Sequence, residues 1–237
     1  IVAITAAMRE GTGLVNFSKK YPDRFYDVGI AEGHAVTFSG GLATENKVPV
    51  VAIYSTFLQR AFDHIIHDIS LQNLPVIFCL DRSGLVGEDG ATHHGVLDIA
   101  YLRCIQNIII SAPKDGDELN DLLYTASLNK KTPFTIRYPK ESSIKFDNSV
   151  PKKLSIGSWE IIKPGDDVLI LAIGSMVQKS LEVYQNLTEK NISAEIVNCR
   201  FIKPMDEEYL NKSFKKFKKI VTIEEGVISG GFGEGIL

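Results

Sequence analysis

Short apolar runs alternate along this chain with longer stretches of helical period. The runs at 48–54, 75–80, 108–111 and 134–138 are rich in Val, Ile and Phe and lack polar alternation, which predicts strands covered on both faces. Between them, apolar positions recur at intervals of three and four. Leu58, Ala61, Phe62, Ile65, Ile66 and Ile69 form one stripe that predicts a single helix from about 57 to 73, with Arg60, Asp63, His64 and His67 on its other side. A second helix is predicted over 115–129. Upstream, a short strand at 25–28 leads into a helix at 35–43 whose residues are small on one face. This alternation predicts an α/β fold with a largely parallel sheet covered by helices.

The pattern lapses between 140 and 157 into Ser, Asp, Asn, Pro and Lys without periodicity. Beyond it, strands at 167–173, 194–199 and 220–223 and helices at 176–190 and 206–217 repeat the β-α-β theme. The expected organisation is two consecutive domains, 1–145 and 157–237, joined by a linker at 146–156, with the second domain smaller and incomplete.

Composition narrows the function classes. A net charge of −3 without a basic cluster gives no footprint for nucleic acid, and no apolar run reaches the roughly 18–20 residues of a membrane span. Small molecules and protein are the expected partners. Cys79, Cys104 and Cys199 are odd in number and widely spaced, which argues against a disulfide framework and a zinc site and fits a reducing cytoplasm. The chain begins at Ile1 without Met and closes in a glycine-rich helix start, so it is expected to be a piece of a longer polypeptide.

The segment Asp27-Val-Gly-Ile-Ala-Glu-Gly-His-Ala35 places one carboxylate, Glu32, among small and apolar residues at a strand-to-helix junction. Buried without a partner, such a group costs several kcal/mol or shifts its pKa by roughly 3–5 units, so a proton-donating ligand is one expectation. The other is an acid at a helix N-terminus, stabilised by the macrodipole. After the strand at 75–80 comes a loop, Asp81-Arg-Ser-Gly-Leu-Val-Gly-Glu-Asp-Gly-Ala-Thr-His-His-Gly95, at the carboxyl edge where ligands of parallel sheets gather. It combines Arg82, acids, glycines that permit close backbone approach, and two histidines able to move protons. His93 and His94 are adjacent and diverge, so a shared metal is not expected.

Ser55 or Thr56 is the expected N-cap of the helix after the strand at 48–54, with Phe57 in its first turn either covering a planar ligand or anchoring the helix to the core. Arg137 and Lys140 end a further strand and offer two cations that could hold an anionic substrate together with Arg82. His64, His67 and Asp68 have helical spacing that a solvated face explains. The 230–235 glycine run aligns poorly with a dinucleotide fingerprint and is expected to open a closely packed helix.

Three blocks together, running 26–38, 52–63 and 81–93, resemble the 1-deoxy-D-xylulose-5-phosphate synthases, a transketolase-like family of thiamine diphosphate enzymes, and the likeness extends through Tyr101-Leu-Arg-Cys104, Ile136-Arg-Tyr-Pro139 and Arg200-Phe-Ile-Lys-Pro204. The resemblance implies a pyrimidine-binding domain followed by part of a transketolase C-terminal domain, acting on pyruvate and glyceraldehyde 3-phosphate with loss of carbon dioxide. It implies that Glu32 hydrogen-bonds N1′ of the cofactor's aminopyrimidine and so promotes loss of the thiazolium C2 proton. Phe57 would stack on that ring, and His93 would join Glu32 in catalysis. Tyr54, Arg60, Arg82, Asp89, His93 and Lys140 would line the substrate pocket, with Arg82 and Lys140 gripping phosphate. Lys140 stands where Arg is usual, exchanging a bidentate clamp for a point charge. Gly33 stands where Gln is usual.

No Gly-Asp-Gly motif occurs, so the Mg²⁺ that holds the cofactor diphosphate is expected on a separate amino-terminal domain, with no metal ligand here and no turnover by these residues alone. A homodimer, in the cytoplasm or in a plastid if the source is eukaryotic, is the family expectation. Two other readings stay open: a natural beta-type subunit of a 2-oxo acid dehydrogenase or split transketolase, and a non-catalytic assembly module of this fold.

Overall fold

A computed structural model describes residues 1–143, 145–147 and 150–237. Positions 148 and 149 of the expected linker lie outside the described residues. Two sheets organise the chain. The larger has seven strands: β1 (Val2–Thr5), β2 (Phe25–Asp27), β3 (Pro49–Tyr54), β4 (Ile77–Asp81), β5 (Ile109–Ser111), β6 (Phe134–Arg137) and β10 (Phe201–Lys203), in the order β10-β5-β6-β4-β3-β1-β2. All pair in parallel except β10, which runs antiparallel to β5. The smaller sheet orders β11 (Ile220–Ile223), β8 (Val168–Ala172), β9 (Ala194–Asn198) and β7 (Glu160–Lys163), with β7 antiparallel.

Every residue of β4 and β6 is buried, as expected of strands sandwiched between helices. The helices are α1 (Val15–Lys20), α2 (Glu32–Thr44), α3 (Ser55–Leu58), α4 (Phe62–His64), α5 (Asp98–Arg103), α6 (Gly116–Leu128), α7 (Met176–Glu189), α8 (Glu207–Lys216) and α9 (Phe232–Ile236). Asp115 caps α6 and Asp206 caps α8 through their side chains, so these two helices start within a residue or two of where the sequence places them.

The helix expected over 57–73 is corrected. It is α3, a 3₁₀ turn at Gln59–Ala61, α4 and a π turn at Ile65–Ser70. Tightening and then widening the coil keeps Leu58, Ala61, Ile65 and Ile69 fully buried, whereas Phe62 and Ile66 are partly buried. The expected N-cap is corrected too. Strand β3 runs straight into α3, Tyr54 occupies the cap position without a side-chain cap, and Ser55 is buried inside the first turn, where its Oγ meets no partner among the described residues. Its hydroxyl lies against Gly95, where any larger residue would collide with it.

Because β2, β3, β4 and β6 are parallel, their carboxyl ends share one edge. Register pairs Tyr54 with Asp81 and Leu80 with Arg137, so the segments that follow these strands emerge at one level.

Candidate functional site

At that edge, α2 begins at Glu32 itself, three residues earlier than the sequence predicts. The carboxylate is 3% exposed, and its Oε1 accepts a 2.7 Å hydrogen bond from Nη1 of Arg60, whose side chain is 57% exposed. Glu32 thus lies in a first helical turn, as one of the two sequence expectations has it, and its partner within the chain is the Arg60 side chain. A carboxylate has roughly four lone-pair sites, so one hydrogen bond to Arg60 leaves acceptor capacity for a further donor.

Arg60 also lies over the ring of Phe57, with Cζ 5.1 Å from the centroid. Phe57 stacks on Tyr54 at 5.8 Å and 18°, and His93 meets the other rim of Phe57 edge-on at 5.3 Å and 74°. Phe57 packs against the core cluster, one of the two roles the sequence left open. On the far side of Tyr54 lies Arg82, Cζ 3.8 Å above the ring, and desolvation raises the Tyr54 pKa while Arg82 opposes the rise. The Tyr54 hydroxyl occupies the room a side chain at Gly11 would need, and the Gly11 carbonyl accepts from Arg82 Nη1 at 3.2 Å.

Arg82 adopts a left-handed backbone (φ 59°) that turns its guanidinium back over the sheet edge. There it pairs with Asp81 at 3.0 Å and with Asp89 at 3.2 Å. Lys140 reaches the other oxygen of Asp89 at 2.6 Å and Glu88 at 3.2 Å. Asp89 is thus a carboxylate held between two cations. The Lys140 hydrogen bond keeps the Asp89 carboxyl below its ordinary value, and the same bond raises Lys140. Asp81 is pushed up by burial, with Arg82 working against the shift.

Eight residues proposed from sequence at this edge, Glu32, Tyr54, Phe57, Arg60, Arg82, Asp89, His93 and Lys140, join in one connected cluster. Arg137 does not. It is buried, its Nε donates to Asp98 Oδ2 at 2.9 Å, and its Nη2 donates to the Glu225 carbonyl at 3.1 Å, so the expected anion grip by Arg137 is corrected. Its guanidinium is thus taken up by Asp98 and the Glu225 carbonyl.

His64 and Asp68 are more than a solvated helix face. Thr37 Oγ1 donates to Asp68, and both lie within hydrogen-bond reach of His64 Nδ1. The His64 ring fills the space beside Gly33, where a Cβ would come within 2.6 Å of Nε2. The missing side chain at 33 is thereby replaced by an imidazole from the neighbouring helix. His94 turns from His93 and accepts from the Val86 amide at 3.1 Å. Glycine-rich 230–235 does open a helix: Glu224 caps α9 by accepting from the amides of Phe232 and Gly233, both at 2.9 Å. Among the described residues no three His, Cys, Asp or Glu side chains cluster as a metal site, and no helix is long and apolar enough to cross a membrane.

Residues 1–144 match the transketolase pyrimidine binding domain and 157–237 the transketolase C-terminal domain, and the chain belongs to the transketolase family. Within it, the chain is 53% identical over its whole length to the 1-deoxy-D-xylulose-5-phosphate synthase of Aquifex aeolicus and 56% identical over 98% of its length to that of Dictyoglomus thermophilum. It spans 38% and 37% of those relatives. A solved structure described as a split gene transketolase, inactive beta4 tetramer, superposes with a TM-score of 0.88 at 29% identity over 99% of this chain and 76% of that one. A Pichia stipitis transketolase shares the fold, with a TM-score of 0.79 at 19% identity over 96% of this chain and 36% of that one.

Proposed function

We propose that these residues are the pyrimidine-binding and C-terminal part of a thiamine diphosphate-dependent transferase, a 1-deoxy-D-xylulose-5-phosphate synthase that joins pyruvate to glyceraldehyde 3-phosphate with loss of carbon dioxide. On this reading residues 1–145 and 157–237 are its two units, acting as a homodimer in the cytoplasm or a plastid. The observation that carries the reading is the nearly buried Glu32 carboxylate, joined through Arg60 to the Phe57 ring. When bound, thiamine diphosphate supplies a carbon acid whose conjugate base is the nucleophile.

The residues present suit that group. Glu32 offers an acceptor to a protonated ring nitrogen in a setting of low dielectric, which strengthens the bond. Phe57 supports a flat heterocycle. Arg60, hydrogen-bonded to Oε1 of Glu32, orients the carboxylate. His93, edge-on to Phe57 and hydrogen-bonded to Thr92 at 3.0 Å through Nδ1, is placed to exchange a proton with substrate through its other nitrogen. Arg82 and Lys140 receive the phosphate, which competes with Asp89 for both cations. Tyr54 closes the wall between the two halves of the site. Mg²⁺ and the diphosphate would be held by the amino-terminal region of the enzyme.

The second reading, a separate beta-type subunit as in a split transketolase, is favoured by the 76% coverage of the split-gene chain. The upstream reading frame separates the two: a contiguous Gly-Asp-Gly domain eliminates the subunit reading. A non-catalytic module would have no use for the Glu32, Phe57, Arg82 and His93 cluster. The test of function is pyruvate-dependent formation of a five-carbon ketose phosphate by the enzyme containing these residues. Glu32→Ala is expected to lower the rate by ~10²–10⁴. Equal rates for wild type and variant would overturn the assignment.

A further inference from the structure

From the second unit, Glu225 reaches the loop that carries Arg82, Asp89 and His93. After β11, Glu224 turns back to cap α9, while Glu225 turns toward the first unit. Its Oε2 accepts from the Ser175 hydroxyl at 2.9 Å, just ahead of α7, and its Oε1 accepts from the Leu85 amide at 3.4 Å. Its carbonyl accepts from Arg137, which is itself fixed by Asp98. One residue therefore ties β11 and the start of α7 to the loop that follows β4 and to the end of β6.

The contact falls at the neck of that loop. Gly84 and Gly95 exchange two backbone hydrogen bonds of 2.8 Å, closing a ring of residues that contains Asp89 and His93 and begins two residues after Arg82. Gly84 has φ +83°, and a Cβ there would come within 2.9 Å of the Glu225 Cβ, Cδ and Oε2. Two features thus allow the approach: a backbone conformation suited to glycine, and the absence of a side chain on the face Glu225 covers. At the other side of the neck, Ser83 N donates to the Tyr138 carbonyl at 3.0 Å. With Glu225 in place the neck is held from both flanks, and the loop beyond it is a short arm of fixed origin.

We propose that Glu225 is a positioning residue through which the second unit fixes the neck of the 83–95 loop, and that this sets how well Arg82 and Lys140 receive the phosphate of the substrate. The role rests on the reading of that loop as substrate-binding. It gives the second unit a function at a site it does not line: removing the brace loosens the neck, lets Asp89 shift relative to Arg82 and weakens the anion end of the pocket, while Glu32 and Phe57 stay anchored on α2 and α3 and His93 is kept at its place by the edge-on contact with Phe57 and the Thr56 hydrogen bond to the Thr92 carbonyl.

The test uses Glu225→Ala, Glu225→Gln and wild type, with Ser175→Ala as a milder variant that removes one anchor of the carboxylate. Amide hydrogen exchange on the chain reports the brace directly. In Glu225→Ala the Leu85 amide is expected to exchange roughly 3- to 10-fold faster, the range of one net hydrogen bond, with Glu225→Gln near wild type. Titration with inorganic phosphate, with Arg82→Ala as the reference for specific binding, is expected to show a several-fold weaker affinity in Glu225→Ala. In the full-length enzyme KM for the phosphorylated aldehyde rises by a similar factor, while KM for pyruvate and kcat stay within about twofold. A fall in kcat without the KM change, or faster exchange with unaltered phosphate affinity, would overturn the positioning role. Unchanged Leu85 exchange in a folded Glu225→Ala chain would overturn the brace itself. If wild type and Arg82→Ala bind phosphate equally, the substrate reading of the loop fails, and the exchange data still decide the brace.

Discussion

Glu32 and Arg60 form an ion pair of unequal members, 2.7 Å apart, in which the acid is 3% exposed and the base 57% exposed. Both come from helix starts at the carboxyl edge of the large sheet, α2 for the acid and the 3₁₀ turn after α3 for the base. The exposed member can be removed without opening the core, and its loss leaves a buried carboxylate without that neutralising partner. Breaking a fully buried pair costs 3–5 kcal/mol; with Arg60 more than half in solvent the expected loss for Arg60→Ala is about 1–2 kcal/mol. Urea unfolding checks it through a lower midpoint at unchanged slope.

Asp98 and Arg137 are a different case, because both are buried and 2.9 Å apart. Asp98→Ala strands the guanidinium between α5 and β6 and is expected to cost about 3–5 kcal/mol. Thermal unfolding followed by circular dichroism should show the largest drop of any single variant named here. A change below about 1 kcal/mol would mean that the pair is solvated in solution.

The Asp89 clamp has a pH signature. Its carboxyl pKa in the folded chain lies below the ordinary 3.8, chiefly through the Lys140 hydrogen bond, so the unfolded chain binds this proton more readily. The clamp therefore contributes stability that is present above pH 3.8 and is lost as pH falls through the lower folded value. Lys140, raised above 10.5, keeps its contribution below that pH and loses it as pH climbs through the folded value. Asp89→Asn is expected to flatten the acid limb of stability against pH, measured by urea midpoints across the acid range. An acid limb as steep as that of wild type would show that the clamp is not formed.

The three thiols should separate by reactivity. Burial pushes the Cys79 thiol up to about 12 and raises Cys199 well above its ordinary value, whereas Cys104 is exposed. A disulfide reagent at neutral pH is expected to label one thiol per folded chain, at Cys104, and all three after denaturation. Cys104→Ser should abolish the native-state reaction.

Much of the fold was legible because strands β3, β4, β6, β8 and β9 are short, apolar and buried on both faces, a pattern that local sequence carries by itself. Strands β7 and β10 were not, since four and three residues at antiparallel edges are specified by their partners; β10 is a strand through its pairing with β5, some ninety residues earlier in the chain. The stripe from Leu58 to Ile69 showed which side chains face inward, and gave no sign that 3₁₀ and π turns would be needed to keep them there.

At the site, the carboxyl ends of parallel strands pointed to Arg82 and Lys140, an acid among small residues pointed to Glu32, and Tyr54, Arg60 and Asp89 entered only through the family resemblance. Arg137 misled because charge at a sheet edge does not reveal which partners take up a side chain. His64 and Asp68 do face solvent in part, at 39% and 33%, yet their tie to Thr37 and the seat on Gly33 depend on the packing of two helices. Glu225 carried no local signal at all: its contact with Leu85 spans 140 positions.

The central claim is that Glu32 activates the cofactor by holding a proton at the pyrimidine ring. Exchange of the thiazolium C2 proton of thiamine diphosphate into deuterium oxide, followed by quenched-flow NMR on the full-length enzyme without substrate, measures that step apart from substrate binding and product release. Wild type is expected to exchange at least ~10²-fold faster than Glu32→Ala at equal cofactor occupancy. Equal exchange rates, with cofactor bound in both, would contradict the account.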